Sequence, residues 1–345
     1  MKDAIRALAA AGFAAAASAG AALAQPLDPV RVGLVSAVSD APFLIADKRG
    51  YFREAGIQVT FQSFASGTAM VAPLGTGQLD VGAGAPAAGL YNAVGSGINV
   101  KIVADKGTDT VHYGFDPIVV RKDLVTSGKY KRIADLRGMK VAEPGKGSTI
   151  EPELQSFLSR GGLNYEDVQH VYLGFPEQVA ALKNGSIDAT IAIEPWATVD
   201  EREGVGVRIA SNDTFYPDQQ LAVVLYGGDF ATKRNAVAKR FMIAYLRGAR
   251  YYHDALEGGH IAGPHADEII GILAEAVKVD PAILRAMTAN DVNPNGRVGV
   301  RSLADDYAFF RKIGLVTENV SMSSIVDLSF IEDAVRVLGP YKRKS

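Results

Sequence analysis

Residues 30–64, VRVGLVSAVSDAPFLIADKRGYFREAGIQVTFQSF, read as one strand-helix-strand unit. Val30–Val35 is a mostly apolar run, as expected of a strand buried on both faces. Ala41–Glu54 reads as a helix with Pro42 in its first turn, and Gly56 ends it. Ile57–Phe64 alternates apolar and polar residues as a second strand. The same rhythm continues through a helix at 66–74, a strand at 79–83, a helix at 85–95 and a strand at 100–105. Such alternation predicts a parallel sheet covered by helices on both faces.

A second block repeats the pattern. Strands are expected at 116–120, 139–142, 168–173, 189–193 and 207–210, with a capped turn at 132–136 and helices at 148–159, 176–183 and 195–204. After it comes one more strand, Leu221–Tyr226 (LAVVLY), and then helix. Val237, Phe241, Ala244, Tyr245, Gly248 and Tyr252 form an apolar stripe there at helical spacing. Pro264, Asp280-Pro281 and Ser302 open further helices, and Gly339-Pro340 stops the last. A lone strand is not stable, so 221–226 is expected to return to the first sheet. The chain then forms lobe 1 from 25–112, lobe 2 from 113–213 and the remainder of lobe 1 from 214–345, with a cleft between the lobes. Two hinge strands would let that cleft close on a small ligand.

The composition agrees with such a chain. Its 345 residues are 48% hydrophobic and 21% charged, enough for two globular units. Thirty-six Lys and Arg against 38 Asp and Glu give a net charge of -2, unlike the basic surface of a nucleic-acid binder. No cysteine is present, which excludes disulfides, thiolate metal sites, a Cys nucleophile and a lipidated N-terminal Cys. Lys2 and Arg6 precede an alanine-rich run, Ala7–Ala22, and Ala22-Leu23-Ala24 ends it, the pattern of a secretory signal peptide cleaved after Ala24. The alternative, a membrane anchor, would need about 20 strongly apolar residues. The expected product is an exported periplasmic protein without stable membrane insertion.

Five segments of this chain resemble a known family. They are APFLIADKRGYFREAGIQV (41–59), SGTAM (66–70), LGTGQLDVGAGAPAAGLYNAVGSGINVKIVAD (74–105), IADLRGMKVAEPGKGST (133–149) and ALKNGSIDATIAIEPW (181–196). In this order they resemble the periplasmic substrate-binding proteins of nitrate/sulfonate/taurine-type ABC transporters, a group that includes thiamine-pyrimidine-synthase-like binding proteins. The resemblance implies an α/β, two-lobed class II periplasmic-binding-protein fold, each lobe a mostly parallel sheet flanked by helices, with a helical C-terminal region on lobe 1. It also implies a small organic solute as ligand, an ABC permease with a cytoplasmic ATPase as partner, a monomer, no cofactor and no catalysis.

Candidate contacts follow from position. Ser66, Gly67 and Thr68 lie between a strand and a helix, where free N-H groups either hold an anion or need only a plain cap; the resemblance places ligand there. Gly147, Ser148 and Thr149 are the counterpart in lobe 2, with Glu151 as a capping-box partner for Ser148. Ser36, Asp40 and Pro42 follow the first strand, and Ala85 and Pro86 follow the third, at strand ends that face the crevice of open α/β sheets; tight helix packing is the other reading of the second loop. Glu194 and the lone Trp196 follow a lobe 2 strand, where a carboxylate would take an ammonium or amino group and an indole would cover an apolar body. Pro176 opens the preceding helix. His112 lies at the first crossing with Lys106, Asp109 and Tyr113, where contact with ligand and tuning of the hinge are equally open. His253, His260 and His265 match no metal motif.

A sulfonate or carboxylate anion is the favoured ligand. No Arg stands in these loops to clamp it, so a taurine-like zwitterion and an amino-pyrimidine of thiamine salvage stay open. So does a sensor subunit for a membrane receptor. An enzyme related to thiamine-pyrimidine synthase would need the cysteine that this chain lacks.

Overall fold

The computed structural model describes residues 26–343; the segment 1–24 expected to be a signal peptide lies outside them. Two five-stranded mixed sheets carry the fold. In lobe 1 they are β1 (Asp28–Leu34), β2 (Ile57–Ser63), β3 (Val81–Gly84) and β4 (Val100–Asp109). Lobe 2 contains β5 (Ile118–Arg121), β6 (Lys140–Glu143), β7 (Gln169–Tyr172), β8 (Ala189–Ile191) and β9 (Gly206–Ala210). The strand at 221–226 is longer than expected, β10 (Gln219–Gly227), and it does return to lobe 1.

The two sheets have matching orders, β2-β1-β3-β10-β4 and β7-β6-β8-β5-β9. Each holds one strand running against the others: β10 is antiparallel to β3 and β4, and β5 is antiparallel to β8 and β9. Both of these strands arrive from the other lobe, through the crossings 110–117 and 211–218. The crossings run side by side, and the Asp218 amide donates to the Asp109 carbonyl at 2.9 Å. β10 is buried along its whole length, as a central strand covered on both faces must be.

One local expectation changes. The helix expected over 41–54 is two helices, Ala41–Lys48 and Tyr51–Glu54, because Gly50 takes a left-handed conformation at φ 74° between them. Helix Ala41–Lys48 packs against the long helix Asn235–Asp254, and every residue of the apolar stripe Val237 to Tyr252 is buried. Phe43 meets Tyr245 with ring centroids 4.6 Å apart, and Phe52 stacks on Phe241 at 4.7 Å. Among the described residues no helix is long and apolar enough to cross a membrane.

The two helices meet closely at Gly248, where a Cβ would sit 2.1 Å from the Pro42 carbonyl oxygen. Gly271 in helix Ala266–Val277 is the contrasting case, with nothing within 4 Å of a Cβ. Gly248→Ala should destabilise the protein by about 2 kcal/mol through overpacking, whereas Gly271→Ala should stabilise it by roughly 0.5–1 kcal/mol through helix propensity. Urea midpoints of the two variants test this; equal shifts of the same sign would contradict the packing.

Candidate functional site

A cavity of about 400 Å³ lies between the lobes. Its walls are the segments that follow the carboxyl ends of parallel strands, where the crevice of an open α/β sheet forms. Lobe 1 gives Ser39 after β1, Ala65–Thr68 after β2 and Gly84, Ala85 and Ala87 at the end of β3; lobe 2 gives Pro144–Lys146 and Ser148–Ile150 after β6, Phe175 after β7 and Ile193 after β8.

Four helices begin on this wall: Gly67–Gly75, Ala88–Gly95, Ile150–Ser159 and Phe175–Asn184. The first N-H groups of a helix have no partner inside it and carry its positive end, so these starts together form a field that favours an anion. Glycine permits the close packing behind them. A Cβ on Gly84 would lie 2.6 Å from the Gly67 Cα, so the helix start rests directly on the end of β3. Ser66 Oγ accepts a hydrogen bond from the Ala69 amide at 3.4 Å, and Ser148 Oγ is buried on the wall without a hydrogen-bond partner among the described residues.

The buried charge on the wall comes from Lys106; Lys146, also on the wall, is exposed. Lys106 is fully buried, 2.7 Å from Asp40 Oδ1, and donates to Ser39 Oγ at 2.9 Å. An ammonium has three donors; Lys106 hydrogen-bonds Ser39 and is ion-paired with Asp40, which leaves donor capacity for the cavity. The backbone explains its aim. Gly107 pairs with Ala222 and Asp105 with Val223, so Lys106 is the extra residue of a β-bulge in β4. A bulge breaks the alternation of a strand and re-aims a side chain. Asp40 Oδ2 accepts from the Ala37 amide at 3.0 Å, which fixes the turn that carries Ser39. The rest of the wall is largely apolar, with Phe115, Phe175, Ile150, Ile193 and Leu221.

Of the residues expected from the sequence, Ser66, Gly67, Thr68, Ala85, Ser148 and Thr149 come together on this wall. The others stand off it. Asp40 lies behind Lys106 as its counter-ion, and Ser36 has a left-handed backbone and bonds Ser63 Oγ at 2.8 Å. Pro42 is under Gly248. Pro86 and Pro176 sit beside wall residues without joining them. Gly147 faces the other lobe: its carbonyl accepts from the Ala88 amide at 2.9 Å, and its own amide donates to Glu151 Oε1 at 2.7 Å. Glu151 thus caps Gly147 and not Ser148, and burial raises its pKa to about 7. His112 is exposed on the first crossing, its amide bonded to Asp213. Glu194 is buried against Arg208 at 2.7 Å and accepts from the amides of Thr198 and Thr288, and Trp196 begins a helix beyond the wall.

Comparison with known proteins places this geometry. A model of the NMT1-like family matches residues 23–261. A Bacillus subtilis (strain 168) protein named for aliphatic-sulfonate binding is 23% identical over 324 residues, covering 90% of this chain and 89% of its own length. An Escherichia coli (strain K12) protein of the same designation is 28% identical over 161 residues; that match spans 46% of each chain, so this chain covers about half of that relative's length. Among solved structures, the alkanesulfonate-binding protein SsuA from Xanthomonas axonopodis pv. citri bound to MOPS superposes with a TM-score of 0.69 at 19% identity, over 87% of this chain and 98% of that one. The desulfurization enzyme DSZB has the same fold, with a TM-score of 0.64 at 15% identity over 90% and 99% of the two chains.

The buried Lys106-Asp40 pair yields a stability prediction. Removing either partner alone leaves an uncompensated buried charge, so Asp40→Leu or Lys106→Met should cost about 3–5 kcal/mol. The double variant should recover most of that loss. Chemical denaturation of all four proteins measures the coupling, and additive single effects would contradict the pair.

Proposed function

The chain belongs to the NMT1-like family and has the two-lobed fold of periplasmic solute-binding proteins, and on that premise we propose that it captures a small organic anion for an ATP-driven importer. The observation that carries this reading is the cavity where four helix starts and one buried ammonium face the same space. Each of these elements stabilises negative charge, and neither lobe supplies all of them. A ligand that completes the set favours the closed arrangement, the form that a permease with its ATPase would distinguish from the empty one.

The ligand we infer is a sulfonate or carboxylate with an apolar body. Its acid group rests on Ser66, Thr68, Ser148 and the Lys106 ammonium, and its body lies against Phe115, Phe175 and Ile193. Glu194, the carboxylate that would hold an amine, is committed to Arg208 away from this wall. That favours a plain anion over a taurine-like zwitterion or an amino-pyrimidine. The relatives named for sulfonate binding support the same class and the importer role. DSZB makes catalysis on this fold a real alternative, but this chain has no cysteine and so no thiol chemistry. The leader at 1–24 supports export to the periplasm, where a monomeric carrier would meet its solute.

Calorimetry with alkyl and aryl sulfonates, carboxylates, taurine and an amino-pyrimidine tests the reading. Binding should be confined to the acids. Ser148→Ala should weaken it roughly tenfold to a hundredfold, the loss of one hydrogen bond to a charged group, with no loss of stability. Glu194→Gln should leave affinity unchanged. Binding of the amine-bearing compounds alone, or of none of the panel, would overturn it.

A further inference from the structure

The hinge holds a second group of ionisable residues that solute binding does not use. Asp109 ends β4, Asp116 stands just before β5, Glu153 belongs to helix Ile150–Ser159 of lobe 2, and Asp306 belongs to helix Val300–Lys312 of lobe 1. All four are fully buried. Both oxygens of Asp116, Oδ2 of Asp109 and Oε1 of Glu153 have no hydrogen-bond partner among the described residues.

What surrounds them is neutral or negative. Asn212 donates weakly to Glu153 at 3.5 Å and accepts from the Asp116 amide at 3.4 Å. Tyr216 donates to Asp306 at 2.7 Å, and Gln219 bonds both Asp306, at 3.4 Å, and the Thr149 carbonyl, at 3.0 Å. Asp105, Asp213, Asp305 and Glu194 add further negative charge. No ion pair to any of the four occurs among the described residues; Arg208 pairs with Glu194 and Lys106 with Asp40. No three acidic or His side chains among the described residues are spaced to hold a metal ion. Uncompensated carboxylates are very costly to bury, so what neutralises this group is the proton.

We propose that the cluster of Asp109, Asp116, Glu153 and Asp306 lets the lobes close only when it is protonated, so that closure over the solute takes up protons. The members come from both lobes and from the crossings between them, so opening the hinge must admit water to the group. This rests on the hinge-closing reading above, but not on the identity of the solute.

The direction of the pH dependence follows. Burial raises all four carboxyls, Asp306 to about 7 and Asp116 and Glu153 well above the usual carboxylate range, and burial likewise raises Asp109, helped by the neighbouring Asp213 and Asp105. A hydrated carboxyl titrates near roughly 4. Between the two values closure binds protons, so the closed form is favoured at low pH and is lost as pH rises toward about 7 and beyond. By linkage a captured solute binds up to about tenfold more weakly per pH unit for each proton taken up.

Two measurements on the ligand-free mature protein test the proposal. Small-angle scattering should give a compact particle at pH 5.5, with a radius of gyration near about 20 Å, and one roughly 1 Å larger at pH 8.5. Asp116→Asn/Glu153→Gln, in which amides replace the protonated acids, should stay compact at both values. If that double variant fails to fold, Glu153→Gln alone should reduce the expansion. Infrared difference spectra at pH 5.5 between wild type and the same variant should contain the carbonyl stretch of protonated carboxyls, weakening toward pH 8.5. A wild type of constant size across the range, an amide variant that still expands, or the absence of that stretch would overturn it. A solute panel without any binder would sink the function proposed above and leave this test intact.

Discussion

Each sheet of this protein is completed by a strand that comes from the other lobe. β5 and β10 occupy the same place in their sheets, and both run against their neighbours because both enter from the crossing side. That constraint ties the two crossings together, with Asp218 bonded to Asp109 between them. It also aims the carboxyl ends of the parallel strands of both lobes at one another. The cavity, its helix starts and the buried carboxyls at the hinge all follow from where those two strands are forced to sit.

Within that frame charge is placed with unusual economy. One buried ammonium serves the cavity, held by Asp40 on one side and Ser39 on the other, and the exposed Lys146 also lines it. The remaining attraction for an anion comes from backbone dipoles, which cost no counter-ion and do not reorganise when a ligand arrives. The hinge takes the opposite course. Carboxyls gather there without cations, and their burial is tolerable only while they are neutral. On the proposed reading, dipoles select the solute and the state of the hinge decides whether the lobes can meet around it.

Much of this was legible in the sequence. The alternation of strand and helix gave both sheets, and the need of an isolated strand for a partner was enough to send 221–226 back to lobe 1. The turns Ser66-Gly67-Thr68 and Ser148-Thr149 stood out because small hydroxyl residues before a helix have a chemical use. Lys106 stood out at the first crossing, but contact with ligand and tuning of the hinge stayed equally open. Its side chain reaches the cavity through a bulge, and a bulge depends on pairing with residues more than a hundred positions away. Glu194 misled for a similar reason: its partner Arg208 is fixed by tertiary structure, so a carboxylate beside the only Trp looked free. The hinge carboxyls were scattered through four segments, and nothing local marks them as neighbours.

The central claim is that the cavity between the lobes holds an organic anion. Native mass spectrometry of the protein purified without denaturation, followed by release and mass determination of the bound molecule, tests it most directly. The account predicts a sulfonate or carboxylate with an apolar body, held less tightly when Ser148 is replaced by alanine. A bound amine, or a protein that stays empty after incubation with a mixture of such acids, would contradict it.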